Sequence, residues 1–203
     1  MILCGDCLQY LRELEDKTVD LLLTDPPFGL NGEEEIEGVV QRLQEADRVC
    51  KKMMILMDYR NLWRVDQAFH ESKIGELVWE YGWVSGGRAK AKSGFFPTHN
   101  TIGLYGDKKD FRFVNGSIIR RQPGFSSPRQ CSFAKKTGHP YEKPVPLMGY
   151  LIEGATKPGD TVMDCFMGTG TVGVAAKNTA RQFIGMEIER KWYDVATERI
   201  EGD

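Results

Sequence analysis

The sequence predicts an α/β fold built on a mostly parallel central sheet with helices on both faces. Three observations carry that expectation. Strand-like and helix-like patterns alternate along most of the chain, as crossover connections between parallel strands require. Two of the strand candidates, VDLLLT (19–24) and MMILM (53–57), are nearly unbroken apolar runs, the mark of strands covered on both sides. The length of 203 residues is enough for one domain with its own core.

Taken in order, MILC reads as a first strand and CLQYLREL as a helix with apolar residues at helical spacing. VDLLLT is the second strand. From 33 to 53, Ile36, Val39, Val40, Leu43, Ala46, Val49, Cys50 and Met53 share one stripe, which predicts an amphipathic helix. Its start, EEEIE, reads as an acidic helix beginning that faces solvent. MMILM is a buried strand, 61–72 a helix and GELVWEYGW another strand. From 85 to 141 periodicity fades and Gly, Ser, Pro and basic residues take over, with only NTIGLYG and FRFV strand-like. We read 1–203 as a single domain and 85–141 as a region inserted into it. Regular order returns with a helix over 145–156, the strand TVMDCF, a helix over 171–178, the strand FIGME and a last helix over 190–200.

Composition narrows the class. At 41% hydrophobic and 28% charged the chain is ordinary for a water-soluble protein. No apolar run approaches the roughly 18 residues of a membrane span, and MILCGDC lacks the basic start of a signal peptide. Five cysteines fit a reducing compartment, so a cytoplasmic location is expected, with no membrane partner. Cys4 and Cys7 form a lone CxxC without a second pair, so no metal is expected. The net charge of −2 hides an asymmetry. Residues 84–145 carry 12 Lys/Arg against Asp107, Asp110 and Glu142, while the remainder carries 15 basic and 26 acidic residues. A basic middle in an acidic chain points to a polyanion, or to a solvated lysine-rich loop.

TVMDCFMGTGTVGVAA reads as strand, glycine-rich turn and helix. Gly168, Gly170 and Gly173 satisfy the Rossmann-like G-x-G-x-x-G spacing, and Glu187 ends the next strand, where an acid reaches ribose hydroxyls. The helix N-terminus offers free N–H groups to an anionic group. This pattern fits NAD, FAD or S-adenosylmethionine equally, and glycines also serve close helix–strand packing.

The stretch DPPF decides among them. Asp25 ends a central strand, where side chains project into the ligand crevice of an open α/β sheet. Pro26 and Pro27 donate no N–H and hold φ fixed, which sets their carbonyl directions. Phe28 adds a flat apolar face. Acid, rigid carbonyl and ring together suit the exocyclic amine of a planar base. Accepting its two N–H bonds on Asp25 and the Pro26 carbonyl would free a lone pair otherwise delocalised into the ring, and Asp25 could take the surplus proton. Phe28 would stack on a base rotated out of the duplex.

Here the sequence resembles the beta group of amino-methylating DNA methyltransferases, which move a methyl group from S-adenosylmethionine to adenine N6 or cytosine N4. DPPF matches their catalytic signature, DCFMGTGT (164–171) resembles their cofactor signature with Cys165 in place of the usual proline, and HPYEKP (139–144) and Gly5-Asp6 are similar to two further cofactor-side motifs. The catalytic motif precedes the cofactor motif, a circularly permuted order with the target-recognition region between them. The resemblance covers almost the whole chain. It implies a Rossmann-like methyltransferase fold, catalysis by Asp25, Pro26, Pro27 and Phe28, and cofactor binding by Asp164, Phe166, Gly168, Thr169, Gly170, Thr171 and Glu187. It also implies Asp6 near the cofactor's adenine, where the same residue would serve equally as a cap for the helix after it, and Lys143 beside the cofactor, where a solvated lysine is the competing reading. His99 is similar to a position near the family's active site.

An Asp at the head of the catalytic motif implies adenine N6, with cytosine N4 as the alternative and an inactive DNA-binding module or a nicotinamide oxidoreductase as rivals of other classes. The resemblance implies double-stranded DNA as partner and is compatible with a homodimer. Arg88, Lys90, Lys92, Arg112, Arg120, Arg121, Arg129, Lys135 and Lys136 are the candidates for phosphate contacts. The recognition region is short, so a short or loosely defined target sequence is expected. Restriction-linked, regulatory and phage-borne roles stay open.

Overall fold

The computed structural model describes residues 1–27, 33–57, 59–69, 71–80, 99–112, 118–119, 137–139 and 142–202. Phe28 lies outside them, as do Arg88, Lys90, Lys92, Arg120, Arg121, Arg129, Lys135 and Lys136, and so does the side chain of His99.

Among the described residues eight strands make one sheet in the order β1-β8-β7-β2-β3-β5-β4-β6. They are β1 Ile2–Cys4, β2 Leu21–Thr24, β3 Met53–Met57, β4 Lys73–Glu80, β5 His99–Tyr105, β6 Ile118–Ile119, β7 Thr161–Asp164 and β8 Gln182–Glu187. Every residue of β2 and β3 is buried, which is why neither shows the apolar–polar alternation of a one-sided strand. Five of the seven pairings are parallel; β5 runs antiparallel to both β3 and β4. The mostly parallel sheet expected from the alternation is therefore present, with one reversed strand. FRFV is not a strand in its described half, Phe111 and Arg112, and the two-residue β6 was too short to leave a period.

The helices are α1 Cys7–Leu11, α2 Glu33–Val49, α3 Tyr59–Phe69, α4 Val145–Ala155, α5 Thr171–Asn178 and α6 Arg190–Glu201. Alternate strand residues divide the core. Leu22, Met53, Ile55, Met57 and Met163 pack with α1, α2 and α3 through Leu11, Val39, Leu43, Val65 and Phe69. Leu21, Leu23, Met54, Leu56 and Val162 pack on the other face with α4 and α5 through Leu151, Ile152, Val172 and Ala176. α1 is shorter than the sequence suggested. Asp6 caps it, accepting the Leu8 N–H at 3.0 Å, and beyond Leu11 the chain tightens into turns through Glu13 N–H to the Tyr10 carbonyl at 3.1 Å.

This order creates one switch point. The chain leaves β2 through α2 for β3 on one side, and leaves β7 through α5 for β8 on the other, while β2 and β7 are parallel neighbours. Their carboxyl ends open together, roughly 5 Å apart at strand spacing.

Candidate active site

A cleft of about 670 Å³ lies above that switch point, within the roughly 300–1,000 Å³ usual for small-molecule sites. Asp25, Pro26 and Pro27 line it together with Asp164, Phe166, Gly168, Thr169, Thr171 and Glu187. The two stretches that sequence reasoning singled out separately, 139 residues apart from Asp25 to Asp164 in the chain, thus bound one space.

The walls are cross-braced. The Thr24 hydroxyl donates to Asp164 Oδ1 at 2.6 Å, and the Phe166 N–H donates to the same oxygen at 3.1 Å. Thr24 and Asp164 are both buried, so Asp164 ties the end of β2 to the glycine-rich turn. Burial raises the Asp164 pKa to about 7; its two hydrogen bonds oppose the rise, and the carboxylates of Asp25 and Glu187 add to it. Glu187 shapes the turn in turn. Its Oε2 accepts the Gly168 N–H and its Oε1 the Glu189 N–H, each at 2.8 Å, which leaves lone pairs on both oxygens for a ligand hydroxyl.

The three fingerprint glycines do different work. Gly168 has φ 52° and lines the cleft, and a Cβ there would meet open space, so it leaves room for a ligand against the backbone. A Cβ on Gly170 would fall 2.9 Å from the Ala196 Cβ, and one on Gly173 2.4 Å from Ile200 Cδ1. These two glycines let α5 lie against α6, the packing role that the sequence left open.

Lys143 enters from the segment before α4, and its ammonium pairs with Asp25 Oδ2. Its side chain is 16% exposed, so it is not a solvated surface lysine. His139 stands edge-on to Trp192, ring centres 4.4 Å apart, at the same cleft; burial and the Lys143 charge lower its pKa, which keeps the ring neutral at neutral pH. Asp6 follows Gly5, whose N–H donates to the Glu187 carbonyl at 2.9 Å. Besides capping α1 it takes a two-armed bond from Arg42, with Nε to Oδ1 at 2.9 Å and Nη2 to Oδ2 at 2.5 Å. That pair holds its carboxyl below the usual range against the opposing effect of burial. Cys165 is buried, and hydrogen bonding with Cys7 together with burial pushes its thiol well above the ordinary range, so it behaves as a small apolar residue. Arg112 stands outside the cleft lining, its N–H bonded to the Gly154 carbonyl at 2.6 Å.

Several cleft residues escaped sequence reasoning. Thr24 is a polar end on an apolar strand, a signal that could have been read. Ile188 is 66% exposed at the cleft although apolar, and its place after Glu187 could have marked it. Asn100 of β5, Glu142 and Trp192 carry no pattern of their own.

Among the described residues the charges lining this space are Asp25, Glu142, Asp164, Glu187 and Glu189 against Lys143. Such a field opposes a pyrophosphate and favours a cationic ligand. That separates the three cofactors the glycines left open, because S-adenosylmethionine carries a sulfonium and an ammonium where NAD and FAD carry a pyrophosphate.

Comparison with known proteins agrees. The sequence profile of the N6/N4 DNA methylases matches residues 19–198. The Type II methyltransferase M.HpaI of Haemophilus parainfluenzae is 25% identical over 100% of this chain and 74% of its own length. The crystal structure of the M1.HpyAVI–SAM complex superposes with a TM-score of 0.76 at 23% identity, covering 98% of each chain. The cytosine-N4-specific PvuII DNA methyltransferase superposes with a TM-score of 0.74 at 18% identity, covering 98% of this chain and 85% of that one. Among the described residues no helix is long and apolar enough to cross a membrane.

Proposed function

Because the chain belongs to the N6/N4 DNA methylase family, S-adenosylmethionine-dependent enzymes that methylate DNA, we propose that its target is the N6 amine of an adenine turned out of double-stranded DNA. One observation carries this reading: Asp25, with its two prolines, and the Gly168 turn line one acidic cleft. The bound cofactor supplies an electrophilic methyl group on sulfur. Everything else falls to the chain. Gly168 gives backbone room, Glu187 has lone pairs for ribose hydroxyls, and the exposed Ile188 offers an apolar face to an adenine ring. Asp164 braces the turn and contributes negative charge as it ionises.

On the substrate side Lys143 occupies Asp25 Oδ2, so Oδ1 is the oxygen turned to the amine. Asp25 Oδ1 and the Pro26 carbonyl accept the two N–H bonds and draw the amine nitrogen towards tetrahedral geometry, which frees its lone pair. As the N–C bond forms the methyl–sulfur bond breaks, its electron pair staying on sulfur; the nitrogen becomes cationic, and its surplus proton leaves to Asp25 or through it to water. Phe28 stacks on the base, and Arg88, Lys90, Lys92, Arg120, Arg121, Arg129, Lys135 and Lys136 neutralise phosphates. The Asp at the head of the catalytic motif supports adenine over cytosine. The short region between 85 and 141 supports a short target sequence, and a homodimer is the assembly compatible with the family resemblance.

The test is direct. Unmethylated DNA is incubated with the protein and methyl-labelled cofactor, digested to nucleosides and resolved. N6-methyladenine from the wild type and none from Asp25→Ala is the expected result. N4-methylcytosine would move the target to cytosine, and no transfer by protein that binds cofactor would support the binding module. Light scattering at the assay concentration checks the dimer.

A further inference from the structure

The cleft contains a second set of connections that the reaction above does not use. Arg199, near the end of α6, is tied at both arms. Its Nη1 donates to the Thr169 carbonyl at 2.7 Å and to the Thr169 hydroxyl at 2.8 Å, and its Nη2 donates to Glu142 Oε1 at 2.9 Å. The other Glu142 oxygen accepts the Thr137 hydroxyl. The Arg199 and Glu142 side chains are 22% and 10% exposed, so the pair is largely out of water, where satisfied charge networks hold their shape. The residue after Glu142 is Lys143, whose ammonium pairs with Asp25. Thr169, Arg199, Glu142, Lys143 and Asp25 therefore form one continuous clip from the Gly168–Thr169 turn to Asp25.

We infer that Arg199 is a positioning residue for methyl transfer, setting the separation of the Gly168–Thr169 turn from Asp25 through Glu142 and Lys143. The inference rests on the methyltransferase reading and deepens it. Anchoring α6 does not need this arginine, because Ala196 and Ile200 already seat the helix against Gly170 and Gly173. Both of its partners instead sit on cleft-bearing loops. If the clip opens, Lys143 loses the anchor of its neighbour Glu142 and Asp25 Oδ1 loses its aim, and a misplacement near 1 Å costs on the order of 100-fold in rate.

Arg199→Met removes the three bonds and keeps the apolar stem. The expected result is a kcat lower on the order of 100-fold per cofactor-binding site, with the KM for DNA unchanged. Arg199→Lys, which keeps the charge facing Glu142 and cannot span both Thr169 oxygens, falls between. A second arm needs no methyl transfer. S-adenosylhomocysteine binding is measured by calorimetry for Asp25→Asn, Arg199→Met and the double variant. Coupling across the clip makes the two effects non-additive by at least about twofold in Kd. An unchanged kcat in folded Arg199→Met, a loss confined to melting temperature, or additive binding effects would overturn the inference. If the wild type binds S-adenosylhomocysteine and methylates no base in DNA, the reaction reading fails while the binding cycle still decides the clip.

Discussion

The brace between Thr24 and Asp164 yields a stability prediction with a worked sign. Asp164 is fully buried with its pKa raised to about 7 from an ordinary 3.8. The folded protein therefore holds a proton that the unfolded chain releases near pH 4. This contribution is fully present below about pH 4 and is lost as pH rises through about 7, and the gap corresponds to about 4 kcal/mol. Asp6 and Asp20, whose carboxyls are held low, act in a different window, below their ordinary 3.8. Thr24→Val keeps the buried shape and removes the hydroxyl that Asp164 accepts at 2.6 Å. Losing a bond to an ionised carboxylate costs about 1.5–3 kcal/mol, and to a protonated one about 0.5–1.5 kcal/mol. Thr24→Val should thus destabilise by about 1 kcal/mol more at about pH 9 than at about pH 5, equivalent to raising the Asp164 pKa by about one unit. Urea unfolding at both pH values measures this, and Asp164→Asn, which removes the titration, should abolish the difference. A Thr24→Val penalty equal at the two pH values, or larger in acid, would refute the reasoning.

Other consequences follow from the same cleft. Gly173→Ala should cost roughly 1–3 kcal/mol in unfolding experiments through collision with Ile200 and Phe183, and recover part of that in an Ile200→Val background, with cofactor affinity of the folded protein retained. Gly168→Ala meets no neighbour but must adopt φ near 52°, so it should lose roughly 1–2 kcal/mol of stability and also weaken S-adenosylhomocysteine binding, read by calorimetry. Ile188→Ser, at an exposed position, should leave the melting temperature within about 1 °C and weaken the same ligand by about tenfold, as expected for one lost apolar contact face. Affinity for S-adenosylmethionine should rise between about pH 6 and pH 8 as Asp164 ionises, more steeply than affinity for uncharged-sulfur S-adenosylhomocysteine; parallel profiles would separate Asp164 from the sulfonium.

What was legible in the sequence was local. The unbroken apolar runs at 21–24 and 53–57 reported burial on both faces, and the stripe from Ile36 to Val49 reported one helix face. DPPF and the glycine turn could be read because each packs its chemistry into a few consecutive residues. The reversed direction of β5 left no trace, because an apolar run has no polarity along the chain. The braces were illegible for a different reason. Thr24 meets Asp164 across 140 positions, Lys143 meets Asp25 across 118, and Arg199 meets Glu142 across 57. No periodicity spans such separations; they exist only once the sheet order has brought β2 beside β7. Asp6 was readable as a helix cap, and the structure shows that cap and adds the Arg42 pair, which no local pattern announces.

The glycine fingerprint makes the sharper point about motifs. Its spacing is satisfied whether the glycines face a ligand or a helix, and here Gly168 faces the open cleft while Gly170 and Gly173 face α6. A pattern that mixes the two roles therefore reports a strand–turn–helix whose helix packs tightly on a neighbour, and only one of its positions speaks of a cofactor. The identity of that cofactor is written in the charges around the turn. Asp25, Asp164, Glu187 and Glu189 face the cleft, with Lys143 already engaged by Asp25. A pyrophosphate would have to displace that pair and sit among the remaining acids. A sulfonium would meet the same acids with its own positive charge, in the cleft that Asp25 also lines.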